Sequence, residues 1–137
     1  MQRLSDASKS GVYRVSRTDE IVDAARGSAL QVSRIHLSGM QDKQALMQRI
    51  AAALQFPSWF GANWDALEDC LGDLSWSKAG GHVLLFEGAA QMAGDERGIL
   101  LDILGSAATA WKERGRPFFA VFMDGPAELP ELYRSRT

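Results

Sequence analysis

Phe118-Phe119-Ala120-Val121-Phe122-Met123 is an unbroken apolar run, and His82-Val83-Leu84-Leu85-Phe86 is nearly another. A strand with one face in water alternates polar and apolar residues. Continuous runs instead mark strands buried on both faces, as in a parallel sheet covered by helices. Between the two runs lies a helical pattern from about Asp95 to Arg114, with Leu100, Ile103, Leu104, Ala107 and Trp111 on its inner face. Gly115 and Pro117 are expected to end it. Strand, helix and strand in this order make a βαβ unit, so the chain is expected to be α/β.

Toward the N-terminus the same alternation continues. Val32, Ile35 and Leu37 read as another strand, closed by Gly39, and Val12-Tyr13-Arg14-Val15 as a short one. A helical stretch from about Asp19 to Arg26 and a Gly27-Ser28 break separate these two. Leu46, Ile50, Ala53 and Leu54 share one helical face, on a helix expected to start after Asp42 as a cap and to end at Pro57. The predicted architecture is a small, mostly parallel sheet of three to four strands packed with helices and joined by right-handed crossovers. Residues 1–10 read as a polar lead-in, and the residues after Asp124, with Pro126 and Pro130, as a tail or capping loop.

With 137 residues, 46% apolar and 23% charged, the chain has the size and composition of one ordinary globular domain. Its net charge of −2 marks neither a nucleic-acid binder nor a strongly acidic chain. Cys70 is the lone cysteine, which excludes an internal disulfide and, with two distant histidines, a four-ligand Cys/His zinc site. The first residues lack the apolar region of a secretory signal, and no apolar run nears the ~20 residues that span a bilayer. The expectation is a cytoplasmic monomer with no membrane contact, no metal and no cofactor.

The uneven feature is the placement of charge. From Ile50 to Ser77 there is no Lys or Arg, and within that gap Asp65, Glu68, Asp69 and Asp73 lie among Trp59, Trp64 and Trp76. A short helix is predicted here, capped by Asn63 and stopped by Gly72 at its left-handed terminus. At 3.6 residues per turn, Phe60, Trp64, Leu67 and Leu71 share one side, and Asp65, Glu68 and Asp69 share roughly the opposite side. Asp65 suits the positive end of the helix dipole and Glu68 suits any solvated helix face. Asp69 does neither: it has weak helix propensity, lies too deep to feel the dipole, and repels Asp65 four residues away. Trp59 stands on the turn beside the carboxylates, where it could anchor a partner or pack on the neighbouring helix. Gly61 is expected at a tight backbone position, and Cys70 as a small packed hydrophobe.

The run Phe56-Pro57-Ser58-Trp59-Phe60-Gly61-Ala62-Asn63-Trp64-Asp65-Ala66-Leu67-Glu68-Asp69-Cys70-Leu71 resembles the signature of the barstar family, intracellular inhibitors of barnase-like ribonucleases. The resemblance extends more weakly from about Val32 to Met123. It implies a barstar-like core over residues 31–123, an N-terminal extension over 1–30 with an added strand and helix, and a tail over 124–137. It also implies a bacterial antitoxin or immunity protein whose acidic helix and preceding loop block a ribonuclease active site. The carboxylates of Asp65 and Asp69 would take phosphate-binding positions, and Trp59 would pack on the enzyme's catalytic face.

The sequence departs from the family at two places: Trp59 stands where a tyrosine is usual, and Ala110 and Trp111 stand near the place of a last-helix acid, with Glu113 one turn on. The partner-binding residues expected are Trp59, Asn63, Asp65, Glu68, Asp69 and Asp73, acting on a basic protein surface with no direct contact to nucleic acid. Two alternatives remain at this point: an acidic module for a basic partner that is not a nuclease, and an enzyme using Asp65 and Asp69 as a carboxylate pair or as ligands for a divalent metal.

Overall fold

The computed structural model describes residues 10–15, 30–37, 43–56, 60–61, 63–73, 80–88 and 94–123. They form four strands and three helices: β1 (Gly11–Val15), β2 (Leu30–His36), α1 (Lys43–Leu54), α2 (Trp64–Asp73), β3 (Gly81–Glu87), α3 (Gly94–Glu113) and β4 (Phe118–Met123). The strands make one sheet in the order β1-β4-β3-β2, with every pair parallel. The expected α/β fold with a small parallel sheet is therefore observed. The helical stretch expected near 19–26 and the tail after Asp124 lie outside the described residues.

The two apolar runs are the central strands, as their composition requires. In β3 and β4 successive side chains point to opposite faces, and both faces are buried. Leu84, Phe86, Phe118, Ala120 and Phe122 enter one cluster, and Val83, Leu85, Phe119 and Val121 the other. Phe86 and Phe122, partners in register, stack with centroids 4.6 Å apart and planes 9° from parallel. All three helices feed the first cluster: Leu46, Met47, Ile50 and Leu54 from α1, Leu67 and Leu71 from α2, and Leu100, Ile103, Leu104, Ala107, Ala108 and Trp111 from α3. At about 25 cal/mol per Å² of apolar surface removed from water, this shared layer is the main force holding α2, which packs chiefly against α3, in the core.

Two helix ends stop on a residue in the left-handed region, one a glycine and one not. α3 ends on Gly115 at φ 72°, with the Gly115 amide donating to the Lys112 carbonyl (2.9 Å) and the Arg116 amide to the Trp111 carbonyl (3.0 Å). This is the glycine-terminated arrangement predicted. α1 closes in the same way without a glycine: Gln55 takes φ 56°, its amide donates to Ala52 (3.4 Å), and the Phe56 amide donates to Ala51 (2.9 Å). The helix thus stops at Leu54, before Pro57 is reached.

Candidate functional site

α2 begins with residues suited to beginning a helix. Asn63 accepts the Ala66 amide on its side-chain Oδ1 at 2.8 Å, and its carbonyl accepts the Leu67 amide at 2.9 Å, so it is the cap the spacing predicts. Gly61 leaves room for it. A β-carbon there would lie 3.3 Å from the Asn63 amide nitrogen and crowd the capping side chain. Asp65 sits in the first turn, where a carboxylate complements the positive pole of the helix.

The helix then divides into two faces. Leu67, Cys70 and Leu71 are buried, and Phe60 and Trp64 pack partly buried against the same core. Phe60 meets Phe56 edge-on, with centroids 4.9 Å apart, which ties the chain entering α2 to the chain leaving α1. Asn63, Asp65, Glu68, Asp69 and Asp73 are all exposed. The structure therefore brings together five of the six residues singled out from the sequence; Trp59 lies outside the described residues. The Cys70 thiol is pushed above its ordinary pKa by burial first, and then by Asp69 and Asp73. It remains a protonated, packed thiol rather than a nucleophile.

The C-terminal end of α2 departs from expectation. Gly72 does not stop the helix, which runs on to Asp73. Two carbonyls near this end are taken by side chains of Trp111 in α3 and of Arg114 just past it. The indole Nε1–H of Trp111 donates to the Leu71 carbonyl at 2.9 Å in a buried bond, and the guanidinium of Arg114 donates to the Gly72 carbonyl. These two carbonyls, of Leu71 and Gly72, therefore have side-chain donors, and Gly72 lies within the helix rather than at a left-handed terminus. The Arg114 guanidinium also lies 4.5 Å over the Trp111 ring, a cation–π contact. The side chains that reach this end, from α3 and the turn after it, are thus an indole and a base, while Glu113 is exposed at the helix terminus.

Beneath the indole lies a group whose chemistry sequence reasoning missed. His82, expected only as a strand residue, is 1% exposed and meets the Trp111 ring edge-on at 5.2 Å. Neither ring nitrogen finds a hydrogen-bond partner among the described residues. Burial lowers its pKa from 6.5 to about 4, so the ring is neutral at pH 7.

Among the described residues, no three of His, Cys, Asp and Glu come together in a group that could hold a metal ion. No described helix is long and apolar enough to cross a membrane. The family described as Barstar (barnase inhibitor) matches residues 30–123, from the first residue of β2 to the last of β4. The chain belongs to the barstar family. No curated protein matches it as a relative. Within the barstar match lie the whole of α2 and the α3 residues that hold it. β1 lies outside the match and extends the sheet beside β4, in register from Gly11 opposite Phe119 to Val15 opposite Met123.

Proposed function

We propose that the protein is a non-enzymatic inhibitor that binds a basic ribonuclease, barnase-like or a related toxin, and covers its active site with the exposed face of α2 and the loop before it. The observation that carries this reading is the division of α2, with Leu67, Cys70 and Leu71 in the core and Asp65, Glu68, Asp69 and Asp73 in solvent. A ribonuclease cleft must be cationic to hold a phosphate backbone. Carboxylates presented at helical spacing can therefore take the place of phosphates against Arg and Lys side chains. In this reading Asp65 and Asp69 meet the phosphate positions, Glu68 and Asp73 extend the field, Asn63 holds the presenting turn, and Trp59 supplies apolar contact.

Opposite charge on the two surfaces also speeds encounter and makes it sensitive to salt. The test is inhibition of a panel of barnase-like ribonucleases by the purified chain. Asp69→Ala is expected to weaken binding by at least ~2 kcal/mol, because the variant leaves a desolvated base on the partner unpaired. Glu68→Ala is expected to cost under ~1 kcal/mol, as for a charge at the rim of an interface. Equal losses for the two variants would sink the assignment of Asp69.

A further inference from the structure

We propose that Trp111 and Arg114 are positioning residues for the acidic face: they hold the last turn of α2 in the geometry that presents Asp69 and Asp73. The effect on partner binding rests on the inhibitor reading above; the effect on the helix does not.

A helix ends with unpaired carbonyls and the negative pole of its dipole, which cations stabilise and anions disfavour. α2 has no base in its last turn. It carries Asp69 and Asp73 there instead, with Gly72, a poor helix former, between them. On its own sequence this end should fray. Two stabilising groups come from about forty residues further along the chain, one on α3 and one just past its end, and they are of two kinds.

Trp111 is a rigid donor. Its ring is 2% exposed and lies against His82 at 5.2 Å and Phe118 at 6.1 Å, so the indole cannot follow a helix end that moves away. Its bond to the Leu71 carbonyl is buried, where an unpaired carbonyl is costly. Arg114 is an exposed cationic donor. It is oriented by the indole beneath it and by a 3.4 Å bond from its Nε to the Ala110 carbonyl, and it places positive charge at the negative pole of α2. The acidic turn is thus supported by one donor that fixes its position and one that offsets its charge.

The experiment uses the full chain and two mild variants. Trp111→Phe keeps an aromatic ring and removes the donor; Arg114→Gln removes the charge at an exposed site. Amide hydrogen exchange, read without any partner, is expected to be about tenfold faster at Cys70 to Asp73 in each variant, and unchanged in α1 from Leu46 to Leu54. Arg114→Lys, which keeps the charge and loses the fork, should fall between wild type and Arg114→Gln. Unchanged exchange at Cys70 to Asp73 in both variants would overturn the proposal.

The second measurement is stopped-flow binding to a barnase-like ribonuclease that the wild-type chain inhibits. Arg114→Gln should both associate faster, because a cation beside the acidic face is gone, and dissociate faster, because the turn is loose. Trp111→Phe should change dissociation alone. Faster exchange with unaltered dissociation in both variants would overturn the link to the acidic face. If no such ribonuclease is inhibited, the inhibitor reading fails, and the exchange measurement still decides whether the two residues hold the helix.

Discussion

The two ends of α2 are held in opposite ways. The N-terminal end is secured by its own neighbours in sequence: Asn63 caps it, Gly61 leaves space for the cap, and Asp65 complements the dipole. The C-terminal end has no base in its last turn and is bonded by Trp111 of α3 and by Arg114 just past the end of α3. The difference matters because the exposed acids span the whole helix. Asp65 is presented by local chemistry, whereas Asp69 and Asp73 are presented by tertiary packing, so events elsewhere in the core should reach the second pair and spare the first.

Acid offers the strongest way to separate the two ends. Burial favours neutral His82, so between pH 6.5 and about 4 the folded chain binds fewer protons at this residue than the unfolded chain does. Its contribution to stability is complete above pH 6.5 and is lost as pH falls through that window toward 4. At 1.36 kcal/mol per unit, the loss is on the order of 3 kcal/mol. Urea denaturation from pH 7 to pH 4.5 should show this slope, and His82→Leu should flatten most of it between pH 6.5 and 5, where ordinary carboxylates contribute little. Because His82 lies against Trp111, acid should also speed amide exchange at Leu71 to Asp73 before it does so at Ala66 and Leu67. The reverse order would break the contrast.

A smaller effect probes the other end. Asn63→Ala removes the side-chain acceptor of the Ala66 amide and should destabilise the chain by about 1 kcal/mol in thermal or urea unfolding. Exchange at Trp64 to Leu67 should rise while Leu71 to Asp73 stay protected. Loss of protection along the whole helix would show that the ends are not independent.

The smallest effect comes from α1, whose C-terminus is closed by backbone bonds from Gln55 and Phe56. Gln55 holds φ 56°, a conformation that crowds its β-carbon, so Gln55→Gly should stabilise the chain by about 0.5 kcal/mol. A clear destabilisation in the same unfolding assay would mean that the Gln55 side chain contributes contacts that outweigh the strain.

The same contrast explains what could be read in advance. β4 occupies the residues of its apolar run, and α3 ends where Gly115 predicts, because both are settled by composition within a few residues. The cap at Asn63 was legible for the same reason. The expected stop at Gly72 was not borne out, because the carbonyls there are satisfied by side chains some forty residues away, and no local pattern reports that. Trp111 was recognisable as a core residue from its place on the inner face of α3, but the aim of its Nε1–H was not. The stop of α1 at Gln55 left no mark either, since glutamine is not a residue type that signals a left-handed terminus. The exposure of Asp65, Glu68 and Asp69 was readable from helical period alone, whereas Asp73 lay beyond the expected stop.

The most direct test of the central claim is a titration of barnase-like ribonuclease activity with the wild-type chain and with the Asp65→Lys, Asp69→Lys double variant. The account predicts stoichiometric inhibition of at least one such enzyme by the wild type, weakening with added salt, and loss of that inhibition in a variant that unfolds normally. Inhibition that survives the double charge reversal, or no inhibition of any enzyme in the panel, would contradict it.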